Sequence, residues 1–308
     1  MCRGSFLPTK VSLTFILCVF IGSNVFSQID SQATQAPDTN SNAIEIKNQE
    51  IVAKAPVVSH QKIYKLNPAI DVPIIVVGTG WSLYAFTKIY VKGHSSEQTI
   101  LDLKISNVNS LDRWAVYSYD EHLDKVSYYP FYAAMPFPLL ILAQKSTRKD
   151  FFRIMYLYWE AMAVTGLIGT NATFHVDRYR PYAYRSETAM DRREGSLAKN
   201  SFYAGHVQVV AVPTFFFAKV FADYNPDSKI KWVFYGVASA ATATTAYMRV
   251  RGGMHFPTDV FLGATLGALT GILVPQFHKT KDGKPAKLSL IPFIDDESKG
   301  FTLTYKPR

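Results

Sequence analysis

The chain has 308 residues, 48% of them hydrophobic and 19% charged, with a formal net charge of +9. Such a composition belongs to a packed protein of one large domain or two small ones, and the basic balance suits anionic lipid surfaces or phosphorylated substrates. Both cysteines, Cys2 and Cys18, fall at the start of the chain, so a processed protein has no disulfide, thiolate metal site or cysteine nucleophile.

Arg3 and Lys10 precede an apolar run from Val11 to Ile21, followed by Gly22, Ser23 and Asn24. A basic start, a short apolar core and small residues before a cut predict a secretory signal peptide over 1–27. Export also excludes nucleic acid as a partner. Residues 28–70 form an expected spacer, most of it rich in Gln, Asn, Ser, Thr and Ala without sustained periodicity.

From Asp71 onward six apolar stretches predict helices at about 71–91, 126–145, 150–173, 203–223, 229–248 and 257–278. A polar insert at 93–122, containing Leu111-Asp112-Arg113-Trp114, separates the first two. Several stretches approach the ~20 apolar residues of a bilayer crossing. The run 261-FLGATLGALTGIL-273 adds small residues that let helices approach closely. Pro130, Pro136 and Pro138 break the second stretch, and Glu160 and Lys219 lie within others. The expected architecture is an all-α bundle of about six core helices over 71–278, embedded in a membrane. In the tail, 279–308, period-two alternation in 287–293 and 301–305 predicts a terminal β-hairpin.

Three segments gather the unusual polar residues, each at a helix end. In 173-TFHVDRYRPYAYR-185, Arg178, Arg180 and Arg185 offer planar forks matched to phosphate oxygens, though a basic loop or membrane flank would look alike. In 200-NSFYAGHVQVV-210, Asn200 or Ser201 is placed to cap a helix. Gly205 lets the backbone come close before His206, where free N–H groups attract anions. In 248-MRVRGGMHFPTDVFLGATLGA-268, Gly252-Gly253 turns the chain, Pro257 suits a first helical position, and His255 and Asp259 stand four apart. A carboxylate there either caps the helix or holds one imidazole nitrogen so that the other is free to act.

Together these segments resemble the superfamily of type 2 phosphatidic acid phosphatases, vanadium haloperoxidases and bacterial acid phosphatases. Its motifs are Lys-x6-Arg-Pro, Pro-Ser-Gly-His and Ser-Arg-x5-His-x3-Asp. Arg180-Pro181 matches the end of the first, Gly205-His206 the end of the second, and Arg249, His255 and Asp259 the third at full spacing. The resemblance covers about 150–280. It implies hydrolysis of a phosphate monoester or diphosphate without metal or cofactor, on a lipid or a small ester. In that scheme His255 attacks phosphorus to give a phosphohistidine and Asp259 supports its ring. His206 serves as acid and then base, while Arg180, Arg249 and the N–H groups near Gly205 hold the phosphoryl oxygens. It also implies a place in the bacterial envelope, either an inner-membrane bundle whose site faces the periplasm or a periplasmic protein.

Thr173 stands where the family has lysine, Tyr203 and Ala204 where it has proline and serine, and Met248 where it has serine. Charged hydrogen bonds contribute roughly 1.5–3 kcal/mol, so losing two phosphate contacts costs a decade or more in rate or affinity. Arg178, Arg185, Lys199 and Arg251 are the candidate replacements. A phosphate-binding pseudoenzyme is therefore the second expectation, and a vanadate-dependent haloperoxidase the third. One conflict also arises. A cleaved leader followed by three crossings puts Arg180 on the cytoplasmic side, so one stretch should not cross, the proline-broken 126–145 being the candidate.

Overall fold

The computed structural model describes residues 62–281, 284–285, 287–294 and 299–306, with side chains through Thr280. The expected leader, and the expected spacer up to residue 61, lie outside the described residues. Five long helices follow the apolar stretches: α1 (Pro68–Ile89), α2 (Phe151–His175), α3 (Gly205–Tyr224), α4 (Lys231–Arg251) and α5 (Pro257–His278). Pro68 and Pro257 stand in the opening turns of α1 and α5, where the missing N–H costs nothing. The second stretch becomes three short pieces, Glu121–Val126, Tyr128–Ala134 and a 3₁₀ turn Phe137–Ala143, as its prolines require.

α3 is the centre of the bundle. Val207, Val210, Ala211, Val212, Phe216 and Val220 are all fully buried, and α5, α4 and α2 pack around them. An apolar helix without a polar face has to be enclosed in this way. The approach of α5 is set by Gly263, Gly267 and Gly271, one turn apart on a single face. A Cβ on Gly263 would lie 2.6 Å from the Ala204 carbonyl oxygen, and one on Gly271 would lie 2.6 Å from that of Val212. This contact brings the beginnings of α3 and α5 together.

Among the described residues, four helical segments are long and apolar enough to cross a membrane: Pro68–Ile89, Glu121–Ala143, Gly205–Tyr224 and Pro257–His278. Val76, Val77 and Leu83 of α1, Val233 of α4 and Phe261 of α5 point outward, large and exposed. These are the marks of a membrane protein.

The passes alternate in direction. The segment 121–143 begins beside His206, where the Tyr128 and Phe131 rings pack on the imidazole, and ends where Gln144 bonds Asn225 just past α3. The stretch suspected of not crossing thus runs the length of α3. Consequently α2 ends, α3 begins, α4 ends and α5 begins at one end of the bundle, while Tyr64, bonded to Asp223 at 2.8 Å, lies at the other. Past α5 the backbone pairs Lys287–Ile294 with Lys299–Lys306. Residues 295–298 lie outside the described residues, and the expected terminal hairpin stays an expectation.

Candidate active site

Backbone hydrogen bonds join the three polar segments. Arg178 N donates to Lys199 O at 3.0 Å and Arg180 N to Ala198 O at 2.7 Å, while Ser201 N returns to Arg178 O at 3.0 Å. Tyr182 N donates to Gly253 O at 3.1 Å, which adds the third segment. Gly253 has φ +69°, and a Cβ there would meet Tyr119 Cδ2 at 2.9 Å. Only glycine makes this turn without strain, and it swings Met254 and His255 back so that both N–H groups bond Arg249 O.

His255 is 2% exposed. Its Nδ1–H donates to the Ser201 carbonyl oxygen at 2.7 Å, and its Nε2 is buried with no hydrogen-bond partner among the described residues. Burial lowers its pKa well below the usual histidine range, and the charges of Arg180 and Arg249 and the nearby His206 push the same way. A neutral ring that donates at Nδ1 carries its lone pair on Nε2, the state of a nucleophile.

Two buried arginines flank it. Arg249 is fully buried; its Nη1 donates to Asp124 Oδ1 at 2.8 Å and Ser127 Oγ at 3.0 Å, while Nε and Nη2 find no acceptor among the described residues. Arg180 is nine-tenths buried, makes no ion pair among the described residues, contacts Met254 Sδ at 3.6 Å and leaves Nε without an acceptor. Unmatched buried guanidinium donors are costly unless an anion completes them. At the start of α3, Gly205 has open space where a Cβ would stand, and Val207 N and Gln208 N bond the Ala204 carbonyl oxygen at 3.1 Å, which leaves the N–H groups of Gly205 and His206 as the ones available to an anion. His206 is held between Tyr128 and Phe131, ring centroids 4.9 and 4.8 Å away.

Asp259 takes a different place from the one expected. Its Oδ2 accepts from Ser201 Oγ at 2.6 Å and from the Phe256 N–H at 3.0 Å, and its Oδ1 accepts from Arg178. The carboxylate is occupied by these donors, and the His255 Nδ1 proton goes to the Ser201 carbonyl instead. Arg178 is likewise committed. It bridges Asp259 and Asp112, the latter at 2.6 Å, with its guanidinium 4.4 Å from the Phe256 ring centre. It does not replace the missing lysine. Neither Asn200 nor Ser201 caps α3; Asn200 donates to Ile89 O at 2.7 Å and Ala204 stands at the cap. The Thr173 hydroxyl is engaged by the carbonyls of Gly169 and Phe202.

Three residues of the site carried no signal that singled them out in the sequence. Asp112, from the polar insert, accepts from Thr258 N at 2.9 Å and from Thr258 Oγ1 and Asn109 at 2.5 Å. Burial opposes its charge, yet these bonds and that from Arg178 hold its pKa below the ordinary carboxylate value. Asp124 holds Arg249 and also faces Arg192 Nη2 at 3.7 Å. Arg192 contacts the same Met254 sulfur as Arg180, at 3.9 Å, and donates to Tyr119 Oη at 2.6 Å. The only hint was the charge run 191-DRRE-194 between the first two segments.

The PAP2 superfamily model matches residues 155–282, a stretch containing all three segments. Two solved structures are similar to this chain. A transmembrane PAP2-type phosphatidylglycerolphosphate phosphatase from Bacillus subtilis is 21% identical with a TM-score of 0.39, covering 66% of this chain and 94% of that one. Aquifex aeolicus LpxE is 21% identical with a TM-score of 0.39, covering 57% of this chain and 100% of that one. Comparison with curated proteins finds no match.

Proposed function

We propose that this chain, whose residues 155–282 belong to the PAP2 superfamily, is a membrane phosphatase that hydrolyses a lipid phosphate monoester or diphosphate. One observation carries the reading: buried donors on Arg180 and Arg249 lack acceptors beside a neutral His255 whose Nε2 is also unpartnered. Two cationic forks whose charges reach the ring, beside a lone pair without a partner, suit a phosphoryl group about to be attacked.

In the proposed reaction His255 Nε2 bonds to phosphorus as the bond to the ester oxygen breaks, and His206 gives that oxygen a proton. Water, losing a proton to His206, then attacks phosphorus; the P–N bond breaks and inorganic phosphate leaves. Arg180, Arg249 and the α3 N–H groups at Gly205 and His206 balance the charge on the non-bridging oxygens. Arg192, close to both arginines through Met254 and Asp124, supplies the third cation in place of the lysine absent at Thr173. Asp259 supports the site through Ser201 and Arg178. Exposed apolar helix faces favour a substrate delivered from the lipid phase.

The proposed site faces the periplasm. Where all six segments that run the length of the bundle cross, the four apolar spans together with α2 and α4, Tyr64 is then on the cytoplasmic side, and cleavage at about residue 27 is incompatible with that orientation. A tag at the amino terminus, probed from each side, separates the two. The function itself is tested by phosphate release from purified protein in detergent, offering phosphatidic acid, a polyprenyl diphosphate and p-nitrophenyl phosphate beside His255→Ala. Release abolished by the substitution supports the phosphatase. Tight phosphate binding without release marks the pseudoenzyme, and peroxide-dependent halide oxidation with vanadate marks the haloperoxidase.

A further inference from the structure

A second cluster of chemistry-bearing side chains lies at the opposite end of the bundle. Asp71 opens α1, Glu160 comes from α2 and His278 closes α5. Because α5 has 22 residues, its last turn is roughly 30 Å from Asp259 at 1.5 Å per residue. Asp71 is 1% exposed and Glu160 4%. The His278 Nε2 stands 3.2 Å from Asp71 Oδ1 and 3.5 Å from Glu160 Oε2.

With His278 neutral, no ring proton lies between it and the two carboxylates. His278 Nδ1–H donates to the Val274 carbonyl oxygen at 2.8 Å, so in a neutral ring Nε2 carries a lone pair. Asp71 Oδ2 accepts from the Asn67 N–H at 2.7 Å, which turns Oδ1 toward the ring. Glu160 Oε2 is buried and has no hydrogen-bond donor among the described residues. In that state three acceptor atoms from three helices converge, and a cation is what they would share. The contrast is Asp223 at the same end of the bundle. It accepts from Tyr64 at 2.8 Å, Lys219 at 2.5 Å and Lys279 at 2.6 Å, and has no capacity left for a cation.

We propose that Asp71, Glu160 and His278 bind a divalent transition metal of the zinc class, which ties α1, α2 and α5 together. Tetrahedral zinc with nitrogen and oxygen ligands at about 2.0–2.2 Å has ligand–ligand edges of roughly 3.3–3.6 Å. The separations of 3.2 and 3.5 Å are close to those edges. Each outer support is also present. Val274 fixes the tautomer of the histidine and Asn67 orients the aspartate, as is usual around metal ligands. Three protein ligands leave a fourth position for water. The proposal is independent of the chemistry at His255.

The test uses the full chain in detergent, stripped with chelator, dialysed and titrated with Zn²⁺, with bound metal measured by elemental analysis. One equivalent per chain is expected, with the thermal midpoint raised by metal and lowered again by chelator. Glu160→Gln and His278→Ala should each weaken binding by more than about 100-fold, while His94→Ala, an exposed histidine outside the cluster, leaves it intact. Titration of the unsubstituted chain with Co²⁺ gives a readout that needs no variant: intense visible bands mark a tetrahedral site. Absence of those bands, or binding indifferent to both substitutions, overturns the proposal and leaves a protonated His278 between two carboxylates.

Discussion

The Nδ1–H of His255 bonds the carbonyl oxygen of Ser201 at 2.7 Å, and the hydroxyl of the same serine bonds Asp259 at 2.6 Å. The carboxylate therefore reaches the imidazole only through Ser201, while its own charge is balanced by Arg178.

Asp259→Asn should act mainly on stability. The amide puts an NH₂ group against either the Arg178 donor at Oδ1 or the Ser201 and Phe256 donors at Oδ2, and Arg178 keeps only Asp112 as a charged partner. The expected loss is about 3 kcal/mol, the scale of a broken buried ion pair. Ser201→Ala retains the carbonyl bond to His255 and should cost only about 1–2 kcal/mol. In both variants the acid limb of the kcat/KM profile should stay near its original pH, whereas a direct Asp–His dyad would move it in Asp259→Asn. Denaturation and pH profiles of the two variants check this.

Arg180 and Arg249 should separate function from stability. Arg180 has no acid partner among the described residues, so Arg180→Met removes an uncompensated buried charge. Stability should hold or rise while kcat falls about 100–1,000-fold, the usual effect of removing an oxyanion donor. Arg249→Met leaves Asp124 without its buried partner and should lower both activity and the thermal midpoint. Parallel melting and turnover measurements distinguish the two patterns.

Protonation of His255 sets a sign for the pH dependence. Its folded pKa lies well below the ordinary value of about 6.5, so as pH falls through about 6.5 the unfolded chain takes up a proton that the folded one refuses. The stability contribution is full above that pH and is lost progressively toward the lower folded pKa. His255→Asn should flatten the slope of the thermal midpoint between pH 7.5 and 5. The unsubstituted enzyme should keep its neutral nucleophile, and hence activity, on the acid side.

Two glycines should respond oppositely to alanine. Gly253→Ala faces φ +69° and contacts at 2.9 and 3.1 Å with Tyr119 and Ser118 O, so about 1–3 kcal/mol and most activity should be lost. Gly205→Ala points into open space at the start of a helix and should leave the melting temperature unchanged or higher. Any fall in its turnover then reports crowding of the bound phosphate.

Much of the bundle was legible from local pattern. Apolar runs of helical length, Pro257 at the start of α5 and the proline-broken 126–145 stretch depend on neighbouring residues, and neighbours in sequence are visible in a string of letters. The same holds for the spacing of Arg249, His255 and Asp259, which lie on one helix end, one turn and one helix start. Asp112, Asp124 and Arg192 reach the site from segments far away along the chain, and no periodicity distinguishes a carboxylate that will pair with Arg249 from one that faces water. Nor can spacing say where a proton goes. Asp259 stands four residues from His255 whether it holds the ring or Arg178, and the choice followed from the packing of α3 on α5 along Gly263, Gly267 and Gly271, which brings Ser201 between them. The triad of Asp71, Glu160 and His278 is the extreme case: three residues 89 and 118 positions apart in succession converge because three helices cross there. Chemistry carried by adjacent residues belongs to the order of the chain, while charges that meet across a bundle exist only once burial has chosen their partners.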